Sequence, residues 1–470
     1  MSDERPDPRL VLAVNAARGV STASRKLGRG GGTAAPGLVA DRIDPNLLGK
    51  ISAQLSRGAV VVAGTNGKTT TSRMIADLLE ADGAQVVHNR SGSNLVRGVA
   101  AAFAESSNWR GVPNGNAGVI EADEAAFPDI VRRVRPRVIL LMNLFRDQLD
   151  RYGELRTIAS MWRPALEKLP ASSTVVVNAD DPMLSALTDG LAAKRVTFGM
   201  KGLRYQLAEL PHAADSAICQ RCDSPLIYDA LYLSHLGEWR CPVCGNQRPE
   251  LDVTGHDLIL VGADSLSLAI AERGGNDWPV QIGVPGLYNA YNALAASAVT
   301  RALGVVPATI QKTLAAFTSA FGRIERISWK NRSITIALVK NPVGFNEVLR
   351  MLVGGGSLAM PALIAINDLA ADGRDVSWLW DVDFELLAGE GAPIAAAGIR
   401  GADMANRLKY AGVDNARIIP LGEDLPKALD AFIERIPDGE SGYIMPTYTA
   451  MLAIRQAFAD LGAVDDFWQQ

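Results

Sequence analysis

The strongest constraint on the fold is an apolar run that leads directly into a glycine-containing loop. Residues 59–63 have the length and valine content of a buried β-strand, and residues 69–81 repeat apolar side chains at helical spacing. Between them lies the sequence Gly64-Thr65-Asn66-Gly67-Lys68-Thr69-Thr70. A helix N-terminus presents free N–H groups and the positive end of the helix dipole. A strand, a loop and a helix in this order therefore predict a phosphate-binding site in an α/β sheet.

Each residue type in this loop suits a bound phosphate. Glycine lets the backbone curl around the phosphate oxygens, Lys68 can reach a terminal phosphate, and the Thr69 hydroxyl can hold Mg²⁺. The strict P-loop spacing requires glycine at position 62, where the chain has Val62, so this is a shortened variant. We predict that all seven loop residues bind nucleotide. The alternative is a glycine turn with an exposed lysine.

A carboxylate near the loop points to magnesium. Glu121 follows the apolar run 118–120, where a parallel strand would end at the ligand crevice. Mg²⁺ bound to a nucleotide usually takes one or two carboxylates as well. We expect Thr69 and Glu121 to hold the ion, and Glu124 either to assist or to cap the next helix.

The four cysteines of the chain form two C-x-x-C pairs, Cys219/Cys222 and Cys241/Cys244, separated by 18 residues. This spacing is typical of a zinc ribbon, in which four thiolates surround one tetrahedral Zn²⁺. A closed thiolate shell without a nearby general base predicts a structural metal, which stabilises a segment too small to fold alone.

The chain divides into three parts. Apolar runs alternate with helical patterns in residues 46–325, apart from an irregular stretch at about 205–255 that holds the cysteines, and the alternation resumes in residues 326–470. Residues 1–45 predict one helix and a flexible, glycine-rich segment. The predicted fold class is α/β: a central P-loop ATPase domain, an inserted four-cysteine ribbon, and a C-terminal Rossmann-like domain.

Composition excludes several classes. The 47 Lys and Arg against 51 Asp and Glu leave no basic field for nucleic acid, and 48% hydrophobic residues exclude a disordered chain. The sequence has neither a secretory signal nor a run of about 18 apolar residues, which predicts a cytoplasmic protein without a transmembrane segment. Arg18, Arg25 and Lys26 leave peripheral membrane association open, with a solvated helix as the favoured interpretation.

These residues resemble those of the Mur ligases and folylpolyglutamate synthetases, which form amide bonds through acyl phosphates. The loop is similar to their ATP loop. Residues 143–153 resemble the family's N-x-x-x-D-H-L-D-R segment, with Gln148 in place of a metal-binding His, and residues 178–182 match its N-x-D-D-P turn. By the same resemblance, Asn289 and Asn292 are expected to contact adenine, and Arg323 to approach the nucleotide.

Two departures from ordinary Mur ligases point to a narrower group. About 45 residues precede the sheet, where Mur ligases acting on UDP-linked precursors have a UDP-binding domain, and residues 340–342 read K-N-P instead of H-N-P. With the four-cysteine insertion and the segment 371–381, these features resemble the MurT-type subunit of lipid II isoglutaminyl synthase.

This resemblance implies ATP, Mg²⁺ and structural Zn²⁺, a lipid II substrate, and a heterodimer with a GatD-type glutamine amidotransferase that supplies ammonia. The implied reaction is ATP-dependent amidation of the α-carboxylate of D-isoglutamate in the lipid II stem peptide, through an acyl phosphate. The implied role in the cell is peptidoglycan synthesis.

The resemblance also implies that the C-terminal domain supplies an aspartate to complete the partner's Cys–His pair. Asp381 is the favoured residue and Asp375 the second choice, although Asp375 could simply lie near a helix N-terminus. Two other functions remain open: a Mur or folylpolyglutamate-type ligase that adds an amino acid, and a zinc-ribbon ATPase that binds nucleic acid. The composition of the ribbon argues against nucleic-acid binding, because it provides no basic face.

Overall fold

The computed structural model describes residues 7–26, 34–89, 93–146, 155–261, 265–318, 324–353 and 358–464. The chain begins with three helices, α1 (Pro8–Lys26), α2 (Ala34–Ile43) and α3 (Leu47–Ser52). The first agrees with the predicted helix, whereas α2 and α3 were not predicted. Part of the predicted glycine-rich segment, residues 27–33, lies outside the described residues.

The central domain is built on a sheet of nine strands, with a separate two-stranded hairpin. In chain order the strands are β1 (Gly58–Ala63), β2 (Val86–His88), β3 (Ala117–Glu121), β4 (Val138–Leu141), β5 (Thr174–Asn178), β6 (Lys194–Met200), the hairpin strands β7 (Ile227–Leu233) and β8 (Leu236–Arg240), then β9 (Val253–Val261), β10 (Ser265–Glu272) and β11 (Trp278–Ile282). The sheet order is β11-β10-β9-β6-β5-β4-β1-β3-β2. Strands β1 to β6 and β9 pair in parallel, and β10 and β11 extend the sheet through antiparallel pairings.

Helices cover both faces of this sheet, as its apolar strands require. They are α4 (Lys68–Ala81), α5 (Val96–Glu105), α6 (Phe127–Val134), α7 (Leu155–Glu167), α8 (Pro182–Leu187), α9 (Leu287–Ala302) and α10 (Pro307–Ala315). Because side chains alternate along a strand, Val60 and Val62 pack with α4 and α9, while Val61 and Ala63 pack with the N-terminal helices, α5, α6 and α7. This double burial fixes β1 in the interior of the sheet, directly before residues 64–70, the predicted nucleotide loop.

The C-terminal domain has a second sheet, of six strands. They are β12 (Ile324–Trp329), β13 (Arg332–Ala337), β14 (Ala362–Ala365), β15 (Ile394–Ala397), β16 (Ile418–Gly422) and β17 (Ser441–Pro446), in the order β12-β13-β17-β14-β15-β16. Only β12 is antiparallel. The helices are α11 (Pro342–Leu352), α12 (Gly401–Tyr410), α13 (Leu425–Ile433) and α14 (Tyr448–Asp460), with 3-10 turns at Ser377–Asp381, Phe384–Leu387 and Asn415–Arg417.

The two sheets confirm the predicted α/β class, and their connections place the functional residues. The C-terminal end of β1 leads into the nucleotide loop, and the C-terminal end of β13 leads towards α11, whose first turn lies against that loop. The segment Ser377–Asp381, which follows Asp375, forms only a short 3-10 turn. Every described helix is too short or too polar to cross a lipid bilayer.

Candidate functional site

The nucleotide loop depends on two glycines. Gly64 and Gly67 have positive φ angles of 148° and 85°, a conformation that favours glycine. A Cβ atom at Gly67 would lie 2.1 Å from Oδ1 of Asn292, and one at Gly64 would lie 2.9 Å from Cβ of Met142. The two glycines therefore let the loop backbone lie close to α9 and to the segment after β4.

Lys68 begins α4 and is buried beside the loop. Its Nζ donates to the carbonyl of Gly64 at 2.5 Å and lies 3.0 Å from Oε1 of Glu124. Both charged side chains are almost fully buried, so each needs the other as its counter-ion. A phosphate in the loop would compete with Glu124 for this ammonium group.

The segment after β4 holds the loop in place. The side chain of Asn143 accepts a hydrogen bond from Asn66 N (2.8 Å) and donates one to Asn66 O (3.0 Å). The Thr65 hydroxyl donates to the carbonyl of Phe145 (3.1 Å) and accepts from its N–H (3.0 Å). The rest of the predicted N-x-x-x-D-H-L-D-R match falls largely in residues 147–154, outside the described residues.

The two asparagines predicted to contact adenine lie near the start of α9. Nδ2 of Asn292 donates to Oδ1 of Asn289 at 3.0 Å, and Nδ2 of Asn289 donates to the carbonyl of Pro285 at 2.7 Å. Asn292 also lines a cavity of about 110 Å³ between the nucleotide loop and α11. Arg323, the third residue predicted for the nucleotide, lies outside the described residues.

The opposite wall of this cavity comes from the C-terminal domain. Asn341 caps α11 by accepting from the N–H of Gly344 at 2.9 Å. Glu347 lies farther along the same helix, where its carboxylate accepts from Arg350 at 2.7 Å and burial raises its pKa. Glu347 belongs to no sequence motif; only its position three residues before an arginine on an amphipathic helix could have indicated it.

The magnesium ligands predicted from the sequence flank the loop. Glu121 ends β3 and pairs in register with Val62 of β1, and both amide atoms of Asn89 hold its backbone. Its side chain is buried, and within the described ranges no hydrogen bond or ion pair involves its carboxylate. Thr69 lies on the first turn of α4. A buried carboxylate and a hydroxyl are the oxygen donors that Mg²⁺ prefers, so both residues fit the ion.

The four cysteines come together at the end of the β7–β8 hairpin. Their sulfur atoms all lie within 4.8 Å of one another, with Cys219 to Cys244 at 3.6 Å and Cys222 to Cys241 at 3.5 Å. A Zn–S bond of about 2.3 Å places tetrahedral sulfurs about 3.8 Å apart, so the cluster has the size of a zinc site. Hydrogen bonds from the side chain and backbone of Ser224 lower the pKa of Cys222 to about 6.

Asp180 connects this ribbon to the central domain. Its fully buried carboxylate accepts from the hydroxyl of Tyr291 and from Arg248, both at 2.7 Å. Burial raises the pKa of Asp180, and the charge of Arg248 opposes that shift. Trp239 of the hairpin donates to the carbonyl of Ala179 at 3.0 Å. Since Tyr291 belongs to α9, the N-x-D-D-P turn connects the ribbon to the helix that carries the two asparagines.

Asp375 and Asp381, predicted for the partner's catalytic triad, lie in different surroundings. Asp375 is exposed, and the N–H of Ser377 donates to it at 2.8 Å and lowers its pKa. It borders a surface hollow that also contains Trp380. Asp381 instead faces the central domain, with Oδ2 3.7 Å from Nη1 of Arg146.

Together, the fold and this site define an ATP-dependent ligase of the Mur ligase type. Residues 62–220 match the Mur ligase middle domain, and residues 338–451 match the MurT ligase C-terminal domain. The chain belongs to the family of MurT subunits of lipid II isoglutaminyl synthase. It is 33% identical to the glutamine-hydrolysing lipid II isoglutaminyl synthase subunit MurT of Streptococcus pneumoniae strain R6, over 96% of this chain and 97% of that protein.

Solved structures show the same fold. The pseudomurein peptide ligase type C of Methanothermus fervidus has a TM-score of 0.67 and 20% identity, over 87% of this chain and 79% of that chain. The MurF ligase of Thermotoga maritima in complex with ADP has a TM-score of 0.62 and 15% identity, over 89% and 83%. The comparisons confirm the predicted fold class and the resemblance on which the predicted function depends.

Proposed function

We propose that this chain is the ligase subunit of a glutamine-hydrolysing lipid II isoglutaminyl synthase and amidates the α-carboxylate of D-isoglutamate in the lipid II stem peptide. The observation that carries this proposal is the similarity to the pneumococcal MurT subunit, which extends through both domains. The geometry of the nucleotide loop supports it, because ligation of this kind consumes ATP.

The reaction has two balanced steps. An oxygen of the substrate carboxylate attacks the γ-phosphorus of ATP, ADP leaves, and an acyl phosphate forms. Ammonia then attacks the acyl carbon, phosphate leaves, and the nitrogen loses a proton to give the amide. In this proposal Lys68, whose Nζ donates to the carbonyl of Gly64 in the loop at 2.5 Å, stabilises charge on the transferring phosphoryl group.

Three groups of residues carry the binding roles in this proposal. The loop residues 64–70 hold the phosphates, while Asn289 and Asn292 contact adenine, with Asn292 in the wall of the cavity beside α11. Thr69 and Glu121 hold Mg²⁺, which when bound neutralises charge between the phosphates. The four cysteines hold Zn²⁺, which when bound fixes the hairpin.

The ammonia has to come from another protein. A cysteine nucleophile is the usual route to glutamine hydrolysis, and all four cysteines of the chain belong to the metal cluster. We propose a GatD-type glutaminase that docks on the C-terminal domain. Trp380 and Tyr410 fit such an interface: their rings lie 5.7 Å apart and remain 54% and 75% exposed.

One carboxylate near this surface would complete the partner's Cys–His pair. Asp381 is the residue favoured by sequence, whereas Asp375 is more exposed and borders the hollow with Trp380. Asp381→Asn and Asp375→Asn separate the two. The variant that lacks the triad carboxylate loses glutamine-driven amidation but keeps ammonium-driven amidation.

The decisive experiment supplies purified protein with ATP, lipid II and ammonium, and follows ADP release and product mass. We expect ammonium-dependent ADP release and a product lighter by the difference between OH and NH₂, with both lost in Lys68→Ala. ADP release that required an added amino acid would instead favour an ordinary Mur-type ligase.

A further inference from the structure

Arg146 lies where the nucleotide loop, the ribbon insertion and the C-terminal domain meet. Its backbone N–H donates to Oδ2 of Asp215 at 2.8 Å, and its guanidinium also binds that carboxylate. On the other side, Nη1 of Arg146 lies 3.7 Å from Oδ2 of Asp381. One side chain therefore touches two carboxylates from different parts of the chain.

The contact of Arg146 with the ribbon insertion involves a buried carboxylate. The side chain of Asp215 is only 3% exposed. Three residues earlier in the chain, Nδ1 of His212 lies 3.1 Å from Oδ1 of Asp383. Asn346 of α11 holds Asp383 through two further hydrogen bonds, at 2.7 and 2.9 Å. The ribbon insertion is thus tied to the acidic segment of the C-terminal domain at a second point.

Arg146 also directly follows Phe145, which is hydrogen-bonded to the nucleotide loop. Thr65 is hydrogen-bonded to the backbone of Phe145, and Asn66 to the side chain of Asn143. A nucleotide that rearranges Thr65 or Asn66 must therefore move the segment that carries Arg146. A contiguous set of hydrogen bonds and one ion pair thus leads from Thr65 and Asn66 of the nucleotide loop to Asp381.

The ion pair itself adds little to stability. Arg146 is 32% and Asp381 37% exposed, and pairs with this exposure contribute little to the free energy of unfolding. Their attraction depends on their separation, so a small displacement of Arg146 changes the restraint on the Ser377–Asp381 turn. The ion pair is therefore better suited to relay a displacement of Arg146 to the Ser377–Asp381 turn than to stabilise the fold.

We propose that Arg146 is a positioning residue that couples nucleotide binding to the Ser377–Asp381 turn, so that the partner hydrolyses glutamine rapidly only when the ATP site is occupied. The inference rests on the proposed function, because it requires a glutaminase on the C-terminal domain. Such coupling would limit the release of ammonia when no acyl phosphate is available to receive it.

The test uses the complex of the full chain with its glutaminase partner. Glutamate release from glutamine is measured with and without ATP and lipid II, and ammonium-driven amidation is measured in parallel. In the unaltered complex we expect stimulation by ATP of about fivefold or more. Arg146→Ala should lose most of this stimulation and keep ammonium-driven amidation, and Arg146→Lys should restore part of it.

Arg57→Ala is the matched control. Nη1 of Arg57 pairs with Oδ2 of Asp82 at 2.7 Å, with 38% and 31% exposure, at the opposite end of β1. The Arg57→Ala variant should leave the stimulation of glutamine hydrolysis by ATP unchanged. Stimulation that survives in Arg146→Ala overturns the proposal, as does its absence in the unaltered complex. An equal loss of glutamine-driven and ammonium-driven amidation in Arg146→Ala also overturns it. A failure of the proposed function differs from all three, because the unaltered complex then forms no amide from ammonium.

Discussion

Asn66 of the nucleotide loop and Asn341 of the C-terminal domain exchange two amide hydrogen bonds across the interdomain cavity. Nδ2 of Asn341 donates to Oδ1 of Asn66 at 2.8 Å, and Nδ2 of Asn66 donates to Oδ1 of Asn341 at 3.3 Å. Asn341 also caps α11. A single side chain therefore starts a C-terminal helix and fixes it against the loop predicted to hold phosphate.

Asn341→Ala should weaken both functions of this residue. Loss of the helix cap should lower the free energy of unfolding by about 1 kcal/mol. Loss of the contact with Asn66 should raise the KM for ATP, because the loop proposed to bind the phosphates loses one of the contacts that restrain it. Thermal unfolding and ammonium-driven ADP release measure the two effects.

Asp424→Ala is a matched control for Asn341→Ala. Asp424 caps α13 through the N–H of Lys427 and lies on a different helix from the cavity wall. It should cost a similar amount of stability and leave the KM for ATP unchanged. An equal change of KM in both variants would contradict a specific role for the Asn66–Asn341 contact.

Lys68→Met should reduce kcat by about 100-fold or more if Lys68 has its proposed role, since the proposed charged donor to the transferring phosphoryl group is then lost. It should also destabilise the protein, because Glu124 then remains buried without its counter-ion. Adding Glu124→Gln should restore the unfolding temperature but not the activity. Recovery of both would mean that Lys68 serves only the structure.

The nucleotide loop and the cysteine cluster could be predicted because their signals are local. Residues 64–70 lie between a strand and a helix, and each C-x-x-C pair spans four residues. The Asn66–Asn341 contact could not be predicted in this way, because its partners are 275 residues apart and no periodicity connects them. Arg146 and Glu347 were missed for the same reason, since their roles depend on a different domain or an adjacent cavity.

Helix α2 could not be predicted from the sequence for a different reason. Its sequence contains Pro36 and Gly37, which argue against a helix by intrinsic propensity. The structure explains the glycine by close packing, because a Cβ at Gly37 would lie 1.7 Å from the carbonyl oxygen of Arg97 on α5. Tertiary contact thus overrides local preference here.

Arg248→Met should make stability depend more strongly on pH. Burial already raises the pKa of Asp180 in the folded protein, and removal of the Arg248 charge should raise it further. A carboxyl group with a raised folded pKa binds more protons folded than unfolded, so stability falls as pH rises above the ordinary pKa. The loss of unfolding temperature relative to the unaltered protein should be larger near pH 8 than near pH 5. A loss that is equal at both pH values would contradict this account.

Removal of metal from the cysteine cluster should unfold the ribbon. Only a small core supports the sulfurs, with Leu226 and Trp239 packed against Cys219 and Cys241. Cys241→Ser should therefore abolish the expected binding of one zinc ion and lower the unfolding temperature by roughly 5 °C or more. Val243→Ser, at the exposed tip of the same knuckle, should retain the metal and the unfolding temperature. Elemental analysis and thermal unfolding check both variants. If chelation removed zinc without changing the unfolding temperature, the metal would not be structural, and the hydrogen bonds of Asp180 and Trp239 would have to hold the hairpin unaided.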